Sequence, residues 1–213
     1  MIRERLSEIK AALPAGVQLV AVSKFHPVEA LMEAYDAGQR IFGENRPQEF
    51  AAKVPQMPSD VQWHFIGHLQ TNKLKLVLPY ASLVQSVDSL HLLEAIQAWG
   101  RANDKVIPVL LELHLGAEET KGGLTEAEIR QILASEWPFV DIRGLMGMAT
   151  NTDDESVVRG DFERISALFR SLRNDYPFLT ELSIGMSDDW PLAVQCGATM
   201  VRIGSSIFGP RQY

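Results

Sequence analysis

Cysteine is nearly absent from this chain of 213 residues. Cys196 stands alone, so no internal disulfide can form, and nothing around it has the spacing of a CxxC pair or a Cys/His ligand cluster. That usage predicts a reducing, cytoplasmic setting and no metal site. A basic excess is absent as well. Twenty Lys and Arg stand against 27 Asp and Glu, for a net charge of -7, which offers no attractive field to phosphate backbones or anionic lipid and argues against nucleic acid and membrane as partners. No apolar run is long enough to span a bilayer. The opening MIRERLSEIKAAL has charges throughout, with apolar residues at Ile2, Leu6, Ile9 and Leu13. This spacing predicts an amphipathic helix, not the unbroken apolar centre of a secretory signal. Low-complexity segments and linkers are also missing. With 46% hydrophobic residues, the chain is expected to form one domain over residues 1–213.

What is present is a repeated alternation. Short apolar runs, VQLVAVS, QRIFGE, QWHFIG, SLVQSVD, VIPVLLELHL, DIRGLMGMA, ELSIGMS and TMVRIGS, are separated by segments of helical spacing such as PVEALMEAYDAG, SLHLLEAIQAWGRAN and VVRGDFERISALFRSLRND. Strand followed by helix, repeated, requires parallel pairing with right-handed crossovers. Asp88 and Thr125 stand where helix caps belong, with Glu128 three residues after Thr125, and Gly38 and Gly197 stand where helices end. Eight such units predict a single closed (β/α)₈ barrel preceded by one extra helix, with an open doubly wound sheet as the alternative.

In a barrel of this kind the functional site lies at the carboxyl ends of the strands. Polar residues close the runs: Ser23 and Lys24, Glu44 and Asn45, His64 to His68, Asp88, His114, Ser187 to Asp189, and Gly204 to Ser206. Strand ends meet solvent and are often polar for that reason alone. Lys24 is the most pointed of them, because it follows a buried run directly and Pro27 leaves only a short turn after it. A lysine at the mouth of an apolar barrel serves as a fixed cation or as an amine for Schiff-base formation; position alone is equally consistent with a side chain reaching to the rim. The seventh and eighth runs, SIGMSDDW and MVRIGSSIFG, each turn through glycine and serine into a helix start. Loops after those strands form the usual phosphate cradle of the fold. An amine facing a phosphate cradle suggests an aldehyde that carries a phosphate.

The segments AVSK, FGEN, WHFIGHLQTNK, GLMGMAT, SIGMSDDW and MVRIGSSIFGPR closely resemble the pyridoxal phosphate homeostasis proteins, the YggS/PROSC family, over essentially the whole chain. The resemblance implies a barrel like the N-terminal domain of fold-type III alanine racemases, with pyridoxal 5'-phosphate (PLP) held as a Schiff base on Lys24. It further implies that Arg202 faces the pyridine nitrogen, that Gly204, Ser205 and Ser187 hold the phosphate, and that Asn45 and His64 line the pocket, His64 against the cofactor ring. Asn45 also stands where it would cap the helix near Pro47, His64 where an interior histidine would be hydrogen-bonded, and Arg202 where a strand-end ion pair would form. The family pattern is departed from at Phe25, His26, His68 and Thr150, none of which removes a residue that holds the cofactor.

The resemblance points to a carrier rather than an enzyme. An arginine beside the pyridine nitrogen opposes its protonation and weakens the ring as an electron sink. The racemases take their second acid/base residue from a second domain, whereas this chain reaches Tyr213 just after its eighth unit. The expectation is a non-catalytic PLP-binding protein of vitamin B6 and amino-acid homeostasis, with free amino acids and PLP-accepting apoenzymes as partners. The alternatives are a PLP-dependent amino-acid racemase and a cofactor-free Schiff-base barrel enzyme such as an aldolase.

Overall fold

The computed structural model describes residues 1–116 and 122–210; Tyr213, the last residue of the predicted domain, lies outside them. The elements run α1 (Ile2–Ala12), β1 (Gln18–Val22), α2 (Val28–Asp36), β2 (Ile41–Glu44), α3 (Pro47–Lys53), β3 (Gln62–Phe65), α4 (Leu74–Val77), β4 (Ala81–Val87), α5 (Leu90–Ala102), β5 (Ile107–Glu112), α6 (Glu126–Leu133), β6 (Val140–Met146), α7 (Glu155–Asp175), β7 (Glu181–Ser183), α8 (Trp190–Gln195), β8 (Met200–Ile203) and α9 (Ser205–Phe208). All strand pairs are parallel, and the sheet closes when β8 pairs with β1 from Gln18↔Met200 to Ala21↔Ile203. This is the expected (β/α)₈ barrel. The extra helix α1 buries Ile2, Leu6 and Ile9 and packs on α2 and α9.

The local signals act where the sequence puts them, with one exception. Thr125 and Glu128 form a reciprocal capping box at α6, and Gly38 and Gly197 take φ of +87° and +100° just past α2 and α8, a backbone that side chains disfavour. Asp88, by contrast, does not cap α5. The cap is Ser89, whose hydroxyl accepts from the Leu92 N–H at 3.2 Å, and Asp88 turns toward His68 instead. The single turn α4 is too short to leave a helical period in the sequence.

Side chains alternate between the two faces of each strand. One set packs outward under the helices: Leu19 and Ala21 of β1, Phe42 of β2, Trp63 and Phe65 of β3 and Leu111 of β5 belong to the main core, where Phe42 and Phe50 sit 6.0 and 5.8 Å from the Trp63 ring. The other set faces the barrel axis. Val20, Leu83, Leu110, Met146 and Met200 form an inner apolar layer. Two residues further along the strands the same face carries His64, Gln85, Glu112, Ser183 and Arg202, all buried, so the interior changes from apolar to polar as the strands approach their carboxyl ends.

Candidate functional site

Above that polar layer the strand ends enclose a cavity of about 740 Å³. Lys24, Asn45, Ser187, Arg202, Gly204 and Ser205 all line it. Six of the seven sequence-predicted residues are thus brought together. His64 does not line the cavity. It lies one layer below, almost fully buried, where Gln85 Nε2 donates to its Nδ1 at 2.9 Å; burial first, then the Arg143 charge, push its pKa down to about 3 and keep the ring neutral. This is the hydrogen-bonded interior histidine of the two sequence readings.

Alternation explains why Lys24 reaches the cavity. Val20 and Val22 face the axis, and Lys24 is the next residue of that parity. Its backbone is fixed from outside the barrel. Phe25, the following residue, has φ +66°, a left-handed conformation that a bulky side chain rarely adopts. Its N–H donates to Glu49 Oε1 at 2.7 Å, and Arg46 covers its ring at 4.5 Å. Before the lysine, the Ser23 hydroxyl donates to Glu44 Oε1 at 2.6 Å. Lys53 of α3 joins these groups, donating to the Ser23 carbonyl, Glu44 and Glu49 at 2.8, 2.7 and 2.6 Å. Glu44 has no solvent exposure, and burial pushes its carboxyl up despite Lys53 and Ser23. Sequence reasoning missed this network; Glu49 and Lys53 alone look like an ordinary i,i+4 surface pair.

Arg202 is 4% exposed. Its Nη1 donates to the Ser183 carbonyl and hydroxyl at 2.9 and 2.7 Å, and its Nη2 to the Gly147 carbonyl at 3.0 Å. A guanidinium has five N–H donors, so Nε and one N–H of Nη2 have no acceptor among the described residues. Ser183 in turn donates to Gln85 Oε1 at 2.6 Å, which links Arg202 through Gln85 to His64. Burial pushes Arg202 down to about 10, with Glu112 and Asp189 opposing; it remains charged at neutral pH. Among the described residues Arg202 forms no strand-end ion pair.

At the β7 and β8 ends the Gly204 N–H donates to the Ser187 hydroxyl at 3.2 Å, tying the two predicted phosphate turns together. A Cβ on Gly204 would stand 3.2 Å from the Val22 carbonyl oxygen, so glycine lets this turn close on β1. The first N–H groups of α9, at Ser205 and Ser206, have no intrahelical acceptors. Across the cavity, Asn45 does not cap α3, whose N-cap is Arg46. Its side-chain oxygen is buried with no partner, the condition of a group that awaits a ligand.

The opposite wall is acidic and was not foreseen. Glu112 at the end of β5 and Asp88 after β4 both line the cavity, with Asp88 Oδ2 2.7 Å from His68 Nδ1. Burial, and next the Asp88 carboxylate, push Glu112 up to about 7; Arg202 and His68 pull the other way.

A closed (β/α)₈ barrel with a first-strand lysine facing donors on its last two strands defines a class, the barrel of the alanine racemase N-terminal type, and the family described as "Alanine racemase, N-terminal domain" matches residues 1–212. Proteins named pyridoxal phosphate homeostasis protein are similar over nearly the whole chain. That of Vibrio alginolyticus is 39% identical over 207 residues, covering 94% of this chain and 89% of the relative. That of Schizosaccharomyces pombe is 40% identical over 216 residues, covering 99% and 90%. The chain belongs to the pyridoxal phosphate homeostasis protein family, within the alanine racemase N-terminal domain family. Among solved structures, PipY of Synechococcus elongatus with PLP bound is 39% identical, with a TM-score of 0.91 over 98% of this chain and 100% of that one. The same protein without PLP gives 40% and 0.93, with the same coverage. An alanine racemase of Clostridium difficile, 14% identical with a TM-score of 0.76 over 97% of this chain and 56% of that one, shares the fold alone.

Proposed function

We propose that the chain, working as a single unit over residues 1–213, holds PLP in this cavity as a cytoplasmic carrier in vitamin B6 and amino-acid homeostasis. The observation that carries the reading is the convergence of Lys24, Arg202 and the Ser187–Gly204 pair on one cavity. The residues present fit the cofactor. Lys24 Nζ would hold its aldehyde carbon as a Schiff base, with loss of water. The two open N–H groups of Arg202 are available to a ring nitrogen; Ser187 and Ser205 offer neutral donors to a phosphate, and Gly204, whose own N–H is given to Ser187, lets the backbone approach it. Asn45, with its unpartnered oxygen, borders the ligand. His64 acts from below, through Gln85 and Ser183, to fix Arg202.

When bound, PLP supplies an electrophilic carbon and, where its ring nitrogen is protonated, an electron sink. A charged Arg202 opposes that proton. The carrier reading is favoured over the racemase for this reason, with free amino acids and PLP-accepting apoenzymes as the takers of the cofactor. PipY, solved both with and without PLP, is consistent with a cofactor that leaves without loss of the barrel. The test is borohydride reduction of the PLP-loaded protein followed by mass spectrometry. A pyridoxyl adduct on Lys24, absent in Lys24→Ala, is expected; an adduct on Lys73, or on Lys121, which lies outside the described residues, overturns the assignment. Incubating the loaded protein with L-alanine in deuterated water should give neither Cα exchange nor racemisation at the pace of a dedicated enzyme, and either one at that pace restores the racemase.

A further inference from the structure

Two carboxylates in the cavity have no task in holding PLP. Glu112 points from β5 toward the barrel axis and is 9% exposed. No donor among the described residues bonds its carboxylate. Arg202, the nearest fixed cation from the polar layer, is bonded to Ser183 and Gly147 instead. Asp88 bonds His68 through Oδ2, and its Oδ1 has no donor among the described residues. Gly122 stands beside it: a Cβ there would come within 3.3 Å of Asp88 Oδ2, so the glycine keeps that carboxylate uncrowded. A buried carboxylate without a donor is unfavourable until a cation or donor arrives. No three His, Cys, Asp or Glu side chains among the described residues converge as a metal site, which directs attention to an organic cation.

We propose that Asp88 and Glu112 form an ammonium subsite in the cavity that favours a primary alkylammonium with no adjacent carboxylate, such as the side-chain amine of an acceptor lysine, over a free amino acid as the amine that takes PLP from Lys24. The role as acceptor site rests on the PLP reading; the capacity to bind the cation does not. The absence of an adjacent carboxylate follows from charge. An α-amino acid would bring its own carboxylate next to those of Asp88 and Glu112, and the like-charge repulsion opposes its binding. The exchange would balance without redox: the carbon–nitrogen double bond to the incoming nitrogen would form as that to Lys24 breaks, the two N–H hydrogens of the attacking amine would pass to the Lys24 nitrogen, and the proton first lost by the incoming ammonium would end on the departing Lys24 amine. Glu112 is suited to take that proton, since burial and Asp88 push its carboxyl up to about 7 against the pull of Arg202 and His68. Among the described residues, the other ionisable groups lining the cavity are Lys24 and His26 from the turn after β1 and Asp188 from the loop after β7.

The experiment titrates the PLP-free protein with n-butylammonium and, separately, with L-alanine, at about pH 8 where Glu112 is ionised, by calorimetry. Butylammonium should bind at least about tenfold more tightly than alanine, and Glu112→Gln and Asp88→Asn should each weaken it by about tenfold, the loss of one charge-assisted hydrogen bond. Glu112→Asp, which keeps the charge, should retain part of the affinity, and circular dichroism melts check that each variant is folded. Binding by folded Glu112→Gln equal to wild type, tighter binding of alanine, or no binding by wild type overturns the subsite. PLP loading of wild type is measured in parallel. Butylammonium binding without PLP uptake refutes the PLP reading and leaves the subsite standing; PLP uptake with butylammonium affinity indifferent to residue 112 does the reverse.

Discussion

Replacing Glu112 with glutamine should make the protein more stable at neutral and alkaline pH, and the amount follows from the environment of the carboxyl. Burial and the Asp88 carboxylate raise its pKa from 4.5 to about 7. At 1.36 kcal/mol for each tenfold change in the protonation equilibrium, that disfavours the ionised form in the folded state by about 3 kcal/mol. Below about pH 4.5 both folded and unfolded chains carry the proton, and nothing is lost. Between about 4.5 and 7 the unfolded chain ionises while the folded one still holds its proton, so unfolding releases a proton and stability falls as pH rises. Above about 7 both are ionised and the full penalty is present. Glutamine keeps the shape and removes the charge. At about pH 8 the variant should therefore gain about 2–3 kcal/mol, a rise of roughly 4–12 °C in melting temperature for a chain of this size, and the gain should vanish toward about pH 4.5. Urea unfolding of the PLP-free wild type and variant across this range is the assay. Equal stabilities at alkaline pH, or an advantage that grows toward acid, would refute the reasoning. A gain here, coupled to weaker ammonium binding, is the signature of a group kept for function at the expense of the fold.

Lys53→Met should lower stability by about 3–5 kcal/mol in urea unfolding, because it leaves Glu44, with no solvent exposure, without its cation. Adding Glu44→Gln should recover part of the loss, and failure of the double variant to recover any would mean that the two groups are not coupled. Ser205→Asp places a carboxylate in the phosphate turn and should weaken PLP retention by at least about tenfold in equilibrium dialysis; unchanged retention counts against that placement. Gly67→Ala would drive a Cβ onto the Asn45 carbonyl oxygen, a backbone clash that cannot relax by rotating a side chain. Loss of more than about 3 kcal/mol, or no soluble protein, is expected, and a wild-type melt would show that the β2 and β3 loops can separate.

The barrel was legible because its signals agree at several levels. Eight runs with strand character, glycine stops such as Gly38 and Gly197, and the Thr125 capping box all point to one topology. Lys24 was legible because it follows the buried first run directly, with only a short turn before Pro27. The acidic wall was not. Glu112 sits in the apolar run VLLELHL with only His114 as a second polar residue, and nothing local says whether it faces the axis or the helices until β5 has been set in register with its neighbours. Asp88 was read as a cap because it precedes α5, yet Ser89 occupies that place one residue later; two adjacent capping residue types make the choice undecidable without the tertiary contact to His68. His64 illustrates the converse: the residue is where the motif suggests, but its layer depends on where β3 ends.

The turn that bears Lys24 is fastened to the outer wall, through Glu49, Lys53 and Arg46. Its unusual backbone is therefore set once, when the chain folds. A ligand that enters or leaves meets a lysine whose main chain is already immobilised, so the conformational entropy of ordering that segment is excluded from each binding event. Repeated loading and unloading can then proceed without refolding the strand end each time.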